Sequence, residues 1–318
     1  MNHKIVGILG ASAYSPSLHI QSPRREGSFY PSHVHLVIKL RNDLSSVAHN
    51  HIIGGGQLGR MLAASASLLN IPVVILDVGE HAPAKQILAP RAPDLAHVDG
   101  SFTDPDKIRD LAAKVDVLTV EIEHIDVDVL EQVQYTHSVQ VHPAPSTVRI
   151  IQDKFRQKEH LLSRDVPVAP FVDVEPTVQG ITDAVAKLGL PLMLKSRTLA
   201  YDGRGNSVVR DMTQLQEALD FLGGRPLYAE KWVPFVKEIA VMVVRTARGR
   251  VYSYPVVETV HKNNICHLVF APLRTRDPQL SARAQEIAEK TVKSLGGAGV
   301  FGVEMFLLDD GASTSRYL

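Results

Sequence analysis

Apolar residues recur along this chain in a run-and-stripe rhythm that breaks once, near the beginning. Residues 4–9, "KIVGIL", form a compact apolar run suited to a buried parallel strand. Residues 10–50 then follow neither the strand nor the helix period. "ASAYSPSLHIQSPRREGSFYPSHVH" mixes Ser, Pro, Arg and His, and "HVHLVIKL" offers only a brief strand. An irregular stretch of this length is foreign to a compact domain. Order resumes at Ile52, where a glycine turn leads into "QLGRMLAASASLLN". This helix carries an apolar stripe of Leu58, Met61, Leu62, Ser65/Ala66 and Leu69. The β-branched run "IPVVILD" ends at Asp77, and "DPDKIRDLAAK" (helix), "VDVLTVEIEHI" (apolar run), a further helix and "VQVHP" follow. Alternation at this spacing predicts a parallel, doubly wound sheet. Only one of "KIVGIL" and "HIIGG" can fill the first-strand slot beside the glycine turn. The expectation is that "KIVGIL" docks there as the central strand with 10–50 looped out, or that the slot is strained.

The rhythm changes at "APSTVRIIQDKFRQKEHLLSR", where Ser146 can cap a helix whose apolar face is Val148, Ile151, Phe155 and Leu162. Short strands follow: "PLMLKSR", "NSVVRD", "PLYAEKWV", "KEIAVMVVRT", "RVYSYPVVET" and "CHLVFAP". "TARGR" reads as a hairpin turn between two of them. A helix at about 278–295 precedes the last strand, "GVFGVEMFLLD". The expected fold class is therefore α/β. A Rossmann-like parallel-sheet domain covers 1–145, with an irregular insertion at 10–51, and an α+β domain with an antiparallel sheet covers 146–318.

Composition narrows the partners. A length of 318 residues allows two or three domains, and 45% hydrophobic content is ordinary for a globular chain. Lys+Arg and Asp+Glu balance at 34 each, so no basic excess points to nucleic acid or a membrane surface. A small-molecule partner is expected. The single cysteine, Cys266, excludes an intrachain disulfide and fits a reducing compartment. No apolar run approaches a membrane span and no secretory leader is visible, which predicts a soluble cytoplasmic protein.

Four segments carry candidate chemistry. Gly54, Gly56 and Gly59 satisfy G-x-G-x-x-G between a strand and a helix, with Asp77 closing the next strand. That is a dinucleotide fingerprint or simply a tight α/β turn. In "LKSRTLAYDGRGNSVV", Lys195 ends an apolar strand and a glycine-bearing loop returns to another. Such a loop can fold over phosphates while the lysine neutralises their oxygens, and the plain alternative is a surface hairpin. "YAEKWVPFVKE" sets Glu230 and Glu238 around an aromatic stretch, either as acceptors for a nucleoside or as solvated strand positions. Glu304 lies in the apolar strand "VFGVEMFLL", where its carboxylate requires a cation, a donor or solvent. Taken in order, these segments describe an ATP site clamped between sheets, with Mg²⁺ on the last carboxylate.

The segments "GGGQLGRM", "LTVEIEHID", "IIQDKFRQKEHL", "LKSRTLAYDGRGN", "LYAEKWVPFVKEIAVMVVR", "SYPVVETVHKNNICH" and "GVFGVEMF" together resemble the ATP-grasp part of fungal-type phosphoribosylaminoimidazole carboxylase. That part is similar to bacterial 5-(carboxyamino)imidazole ribonucleotide synthase. The resemblance covers about 52–310 and residues 4–9. It implies an ATP-grasp fold with a pre-ATP-grasp domain and ATP- and bicarbonate-dependent carboxylation of aminoimidazole ribonucleotide in purine synthesis, via carboxyphosphate. By motif, Lys154 and Lys195 would contact ATP phosphates, under a loop of Ala200, Tyr201, Asp202, Gly203, Arg204, Gly205 and Asn206. Glu230, Lys231 and Val233, with Trp232 between them, would hold the adenine, Glu238 the ribose, and His261 would lie at the nucleotide. Glu304 would bind Mg²⁺, and Lys195, Arg204 and Glu304 would form the catalytic set. Gly56, Gln57 and Leu58 would face the aminoimidazole ribonucleotide, with Glu121 and Glu123 nearby. A homodimer is also implied.

Two departures from the family pattern stand out. Its opening strand runs straight into the glycine turn, whereas about 40 residues intervene here. Its last strand leads to an Asn-Glu pair and a "PRPHNSGH"-like segment, and a mutase domain follows; this chain reads "DDGASTSRYL" after that strand. The alternatives to a carboxylating enzyme are a non-catalytic nucleotide-binding fragment and an NAD-binding Rossmann oxidoreductase. Without the second metal carboxylate, Mg²⁺–ATP chemistry loses charge neutralisation and geometry. The purified 318-residue chain is accordingly expected to bind nucleotide yet show little or no ATP- and bicarbonate-dependent turnover; robust turnover would contradict this.

Overall fold

A computed structural model describes residues 3–9, 50–53, 55–90, 93–137, 139–198, 205–262 and 265–309. The chain divides into two compact units, one of residues 15–121 and 132–140, the other of 1–14, 122–131 and 141–318. The expected strand within "HVHLVIKL" and most of the expected insertion lie outside the described residues. Among the described residues no helix is long and apolar enough to cross a membrane.

The first strand, β1 (His3–Leu9), belongs to the second and larger unit. The smaller unit begins with β2 (Asn50–Ile53), which feeds the glycine turn and α1 (Gln57–Leu68). Then come β3 (Val73–Asp77), β4 (Val98–Asp99), α2 (Pro105–Ala112) and β5 (Val117–Val120). The segment α3 (Val127–Thr136) leads to β6 (Gln140–His142). The sheet order is β4-β3-β2-β5-β6. Strand β2 sits between β3 and β5, parallel to both, with Ile53 opposite Leu76 and Val120.

This placement corrects the expectation for "KIVGIL". The central slot belongs to "NHII", because a strand that feeds the turn has to end where the turn begins. Apolar β1 instead forms an antiparallel ladder with the last strand of the larger unit, from His3 opposite Asp309 to Leu9 opposite Val303. An exposed strand edge presents a row of unpaired N–H and C=O groups, and β1 satisfies them.

The α1 stripe is corrected as well. Gly59 and Ala63 are its buried residues, and Ala63 packs on Ile75 and Ala84 with Leu62 beside them. Met61 and Leu69 are exposed. Two small residues at i and i+4 let the helix approach the sheet more closely than Met or Leu would. Gly54 is outside the described residues. At the adjoining Gly55, an added Cβ would come within 2.9 Å of the Asp77 carboxylate.

In the larger unit, α4 (Pro145–Gln152) and α5 (Lys154–Leu162) replace the single expected helix. Ser146 is inside α4, whose N-cap is Ala144 with Pro145 at the first position. The cap that matters is Asp153, which ends one helix and accepts the Phe155 and Arg156 amides at the start of the next. Val148 and Ile151 are buried as expected, whereas Leu162 is exposed. Next come β7 (Phe171–Val174), α6 (Val178–Leu188), β8 (Leu192–Ser196), β9 (Asn206–Val209), α7 (Leu215–Leu222) and β10 (Leu227–Lys231). They form an antiparallel sheet in the order β7-β10-β8-β9. Ile181, Ala184, Leu215 and Ala218 of its helices pack on Leu192, Leu194 and Ala229.

The remaining elements are β11 (Phe235–Arg245), β12 (Val251–Ser253), β13 (Val257–Lys262), β14 (Ile265–Phe270), α8 (Pro278–Ser294) and β15 (Gly299–Asp309). Their sheet runs β1-β15-β11-β13-β14, with β12 paired to β11. The "TARGR" hairpin is present, closed by Thr246 N–H to the Arg250 carbonyl at 2.9 Å, with Gly249 at φ +76°. One sheet face, with Ile239, Val241, Val243, Val303 and Met305, packs on Leu280, Ala284, Ala288 and Val292 of α8. Alternation along the strands leaves the intervening residues, Glu238 and Glu304 among them, on the opposite face.

Candidate active site

The alternation that buries Leu192, Leu194, Leu227 and Ala229 in the small-sheet core turns Lys195 and Glu230 to its other face. Lys195 Nζ lies 3.2 Å from Glu230 Oε2, and Lys158 Nζ on α5 lies 3.1 Å from Oε1. The second contact is an ion pair without hydrogen-bond alignment. Burial opposes ionisation of Glu230, yet Lys158 and Lys195 outweigh it and bring its pKa down to about 2. Burial in turn pushes the Lys158 pKa down, with Glu230 resisting. The Glu230 side chain, expected at the adenine, is thus held by two ammonium groups. Lys231 and Trp232, next along the strand, are exposed, and Val233 is half-buried.

Lys158 was absent from the sequence expectations. The available signal was the i, i+4 spacing of Lys154 and Lys158, which sets two cations on one side of a helix.

Lys154 is fixed by its backbone. Its amide donates to the Arg197 carbonyl at 2.8 Å, just past the end of β8. The Arg197 guanidinium returns to the capping residue, with Nη2 at 2.7 Å and Nε at 3.2 Å from Asp153 Oδ2. One aspartate therefore starts α5 and ties it to the strand carrying Lys195. Lys154 Nζ is 3.7 Å from Glu123 Oε1. Burial lowers the Lys154 pKa, while the Glu123 and Glu304 carboxylates work against that shift. Glu123 is buried, and its Oε2 lacks a hydrogen-bond partner among the described residues.

Of the expected phosphate loop, Ala200, Tyr201, Asp202, Gly203 and Arg204 lie outside the described residues. Its base is visible. Asn206 pairs across from Lys195, and Ser196 N–H donates to the Gly205 carbonyl at 2.7 Å, with Gly205 at φ +90°.

On the large sheet, Glu238 stands opposite Phe306 and Ala240 opposite Glu304, while His261 stands opposite Cys266. His261 Nδ1 is 2.8 Å from Glu238 Oε2, and this contact raises the His261 pKa while burial opposes it. Burial raises the Glu304 pKa; His261 pulls it down, Glu238 pushes it up and Lys154 pulls it down. Among the described residues no Lys, Arg or His nitrogen lies within ion-pair distance of Glu304, and no three His, Cys, Asp or Glu groups converge into a metal cluster.

The expected ribonucleotide-side residues fall in different places. Gly56 is the N-cap of α1, Gln57 is exposed and Leu58 half-buried, all in the smaller unit. Glu121 is half-buried in that unit, whereas Glu123 belongs to the larger one beside Lys154. The Asp77 carboxylate accepts the Gly55 amide at 2.6 Å on one oxygen and the Val78 amide at 2.7 Å on the other. It is committed to holding the turn.

The chain is similar to known proteins over most of its length. A family model for the ATP-grasp domain matches residues 159–315, and one for the ribonucleotide synthetase preATP-grasp domain matches 48–152. The phosphoribosylaminoimidazole carboxylase of Ogataea methanolica is 56% identical over 260 residues, which cover 82% of this chain and 47% of that protein. The carboxylase of Candida albicans is 57% identical over 261 residues, covering 81% and 45% respectively. This chain spans about half the length of these curated relatives. The crystal structure of carboxyaminoimidazole ribonucleotide synthase from Aspergillus clavatus, complexed with ATP, matches with a TM-score of 0.78 at 48% identity, covering 83% of this chain and 68% of that one. The chain belongs to the family of phosphoribosylaminoimidazole carboxylases and carboxyaminoimidazole ribonucleotide synthases, built on a pre-ATP-grasp domain followed by an ATP-grasp domain.

Proposed function

We propose that the larger unit binds ATP between its two sheets and that the protein's role is carboxylation of aminoimidazole ribonucleotide at the expense of ATP and bicarbonate, with turnover by the 318-residue chain itself weak or absent. The observation that carries this reading is the set of lysines and carboxylates on elements of that unit, with Lys154 3.7 Å from Glu123 and Lys195 3.2 Å from Glu230. Phosphoryl transfer requires positioning and charge neutralisation more than covalent help from the protein. Lys154 and Lys195 are proposed to neutralise phosphate oxygens, with residues 200–206 assigned to the same phosphates. The strand after Glu230 supplies backbone groups to the adenine through Lys231 and Val233, with Trp232 alongside. Glu238 accepts from the ribose hydroxyls, and His261 holds Glu238 in place.

In the reaction, the terminal phosphoryl group passes to a bicarbonate oxygen and ADP leaves. The exocyclic amine of the ribonucleotide attacks the resulting carboxyl carbon, and phosphate departs. Gly56, Gln57, Leu58, Glu121 and Glu123 are proposed for the ribonucleotide.

A divalent cation fits the chemistry of the site. Glu304 is a half-buried carboxylate on the same sheet face as Glu238, and Mg²⁺ commonly uses one or two protein carboxylates together with substrate phosphates. Glu304 would hold it, and the ion would neutralise phosphate charge.

Two measurements bear on this reading. In calorimetric titrations the chain binds Mg²⁺–ATP and not NAD, and Lys195→Met weakens ATP by roughly tenfold or more, as expected for a lost charge-assisted contact. Tight NAD binding without ATP binding would overturn the proposal. For the second, the His261 imidazole followed by NMR titrates above the ordinary histidine value of about 6.5. A raised folded-state pKa means the Glu238 contact stabilises fully below that ordinary value and is lost as pH rises through the folded value. Glu238→Gln returns the titration downward and removes that pH-dependent stability. An unchanged titration in this variant would contradict the assigned pairing.

A further inference from the structure

We propose that Lys158 is a positioning residue for nucleotide phosphates, acting through the Glu230 carboxylate on Lys195. The assignment rests on the ATP reading above and adds a residue to it. Lys158 itself is closed off from any ligand, since its side chain is 6% exposed and its ammonium is buried. Placing an ammonium there is unfavourable unless a counter-charge repays desolvation. The counter-charge is Glu230, whose other oxygen meets Lys195. Below the ammonium lies the Phe171 ring, 5.9 Å to its centroid, and Tyr228, on the same strand face as Glu230, is buried.

Charge balance gives Lys158 its role. Lys158, Glu230 and Lys195 together carry one net positive charge, and Lys195 is the most exposed of the three at 17%. Were Lys158 neutral, Glu230 would be compensated by Lys195 alone, and the pair would offer a polyanion no net charge. With Lys158 present, Glu230 is already paired from behind, so Lys195 is held at a fixed distance with its charge available. The buried lysine therefore acts as an electrostatic backstop.

Calorimetry with ATP and with adenosine on the whole chain tests this. Lys158→Met weakens ATP by about tenfold or more and leaves adenosine within about twofold. Lys158→Arg retains ATP. The double variant Lys158→Met/Glu230→Gln restores one net positive charge without a buried unpaired charge, and its ATP affinity returns to within about threefold of wild type. It also keeps the test decisive if the single variant does not fold. Equal loss of ATP and adenosine in Lys158→Met, no loss of either, or no recovery in the double variant would overturn the assignment. Absence of ATP binding by the wild-type chain would instead overturn the reading of the site on which the assignment rests.

Discussion

A carboxylate withdrawn from water obliges its surroundings to provide positive charge, and Glu230 has two ammonium groups within 3.2 Å. This constraint links three elements that have no sequence continuity. Strand β10 supplies the acid, β8 supplies Lys195 and α5 supplies Lys158. Removing one partner from such a buried cluster typically costs about 3–5 kcal/mol, far more than an exposed ion pair is worth. The cluster therefore fixes α5 against the small sheet in a way that apolar packing alone would not. Its geometry also determines where Lys195 can point.

A second polar lock works at the same rim. Asp153 caps α5 and grips Arg197, and the Lys154 amide binds the Arg197 carbonyl. Arg197 also lies 4.7 Å over the Phe155 ring, so the lock has an apolar floor. On the large sheet the same logic appears on the face that packs against α8. Buried Glu258 is satisfied by Lys237 at 2.9 Å and Arg274 at 2.7 Å, and Arg274 stacks on Phe270. Each network leaves its own face in order and lets neighbouring strand positions carry chemistry. Glu304 differs from these acids, because the described residues bring it no side chain within ion-pair distance.

Much of this was legible because strand alternation is strict. Lys195 stands out through the glycine-bearing loop that follows its strand, and Glu304 because a carboxylate in an apolar run requires a partner; alternation then turns both away from the core of their own sheets. Helix faces are less legible. In α1, Gly59 and Ala63 pack inward through smallness rather than hydrophobicity, so a stripe drawn through Met61 and Leu69 missed the buried face. Apolar periodicity continues on either side of Asp153 and predicts a single helix there. The competing preference of aspartate for capping decides that boundary. Lys158 stayed hidden because a helical lysine is ordinarily solvated, and its partner lies 72 positions away on a strand. The choice between "KIVGIL" and "NHII" could not be made from apolar content. Connectivity to the glycine turn decided it, and the β15 edge, which accepts β1, exists only in the folded unit.

The proposed nucleotide site lies between the two sheets of the larger unit, whereas the Asp77 carboxylate is occupied by the Gly55 and Val78 amides of its own turn. Photolabelling with an azido-adenine ATP, followed by peptide mapping, tests that division most directly. The label is expected in the segment from Leu227 to Glu238, with protection by unmodified ATP. Protectable labelling confined to the segment from Gly55 to Asp77 would contradict it.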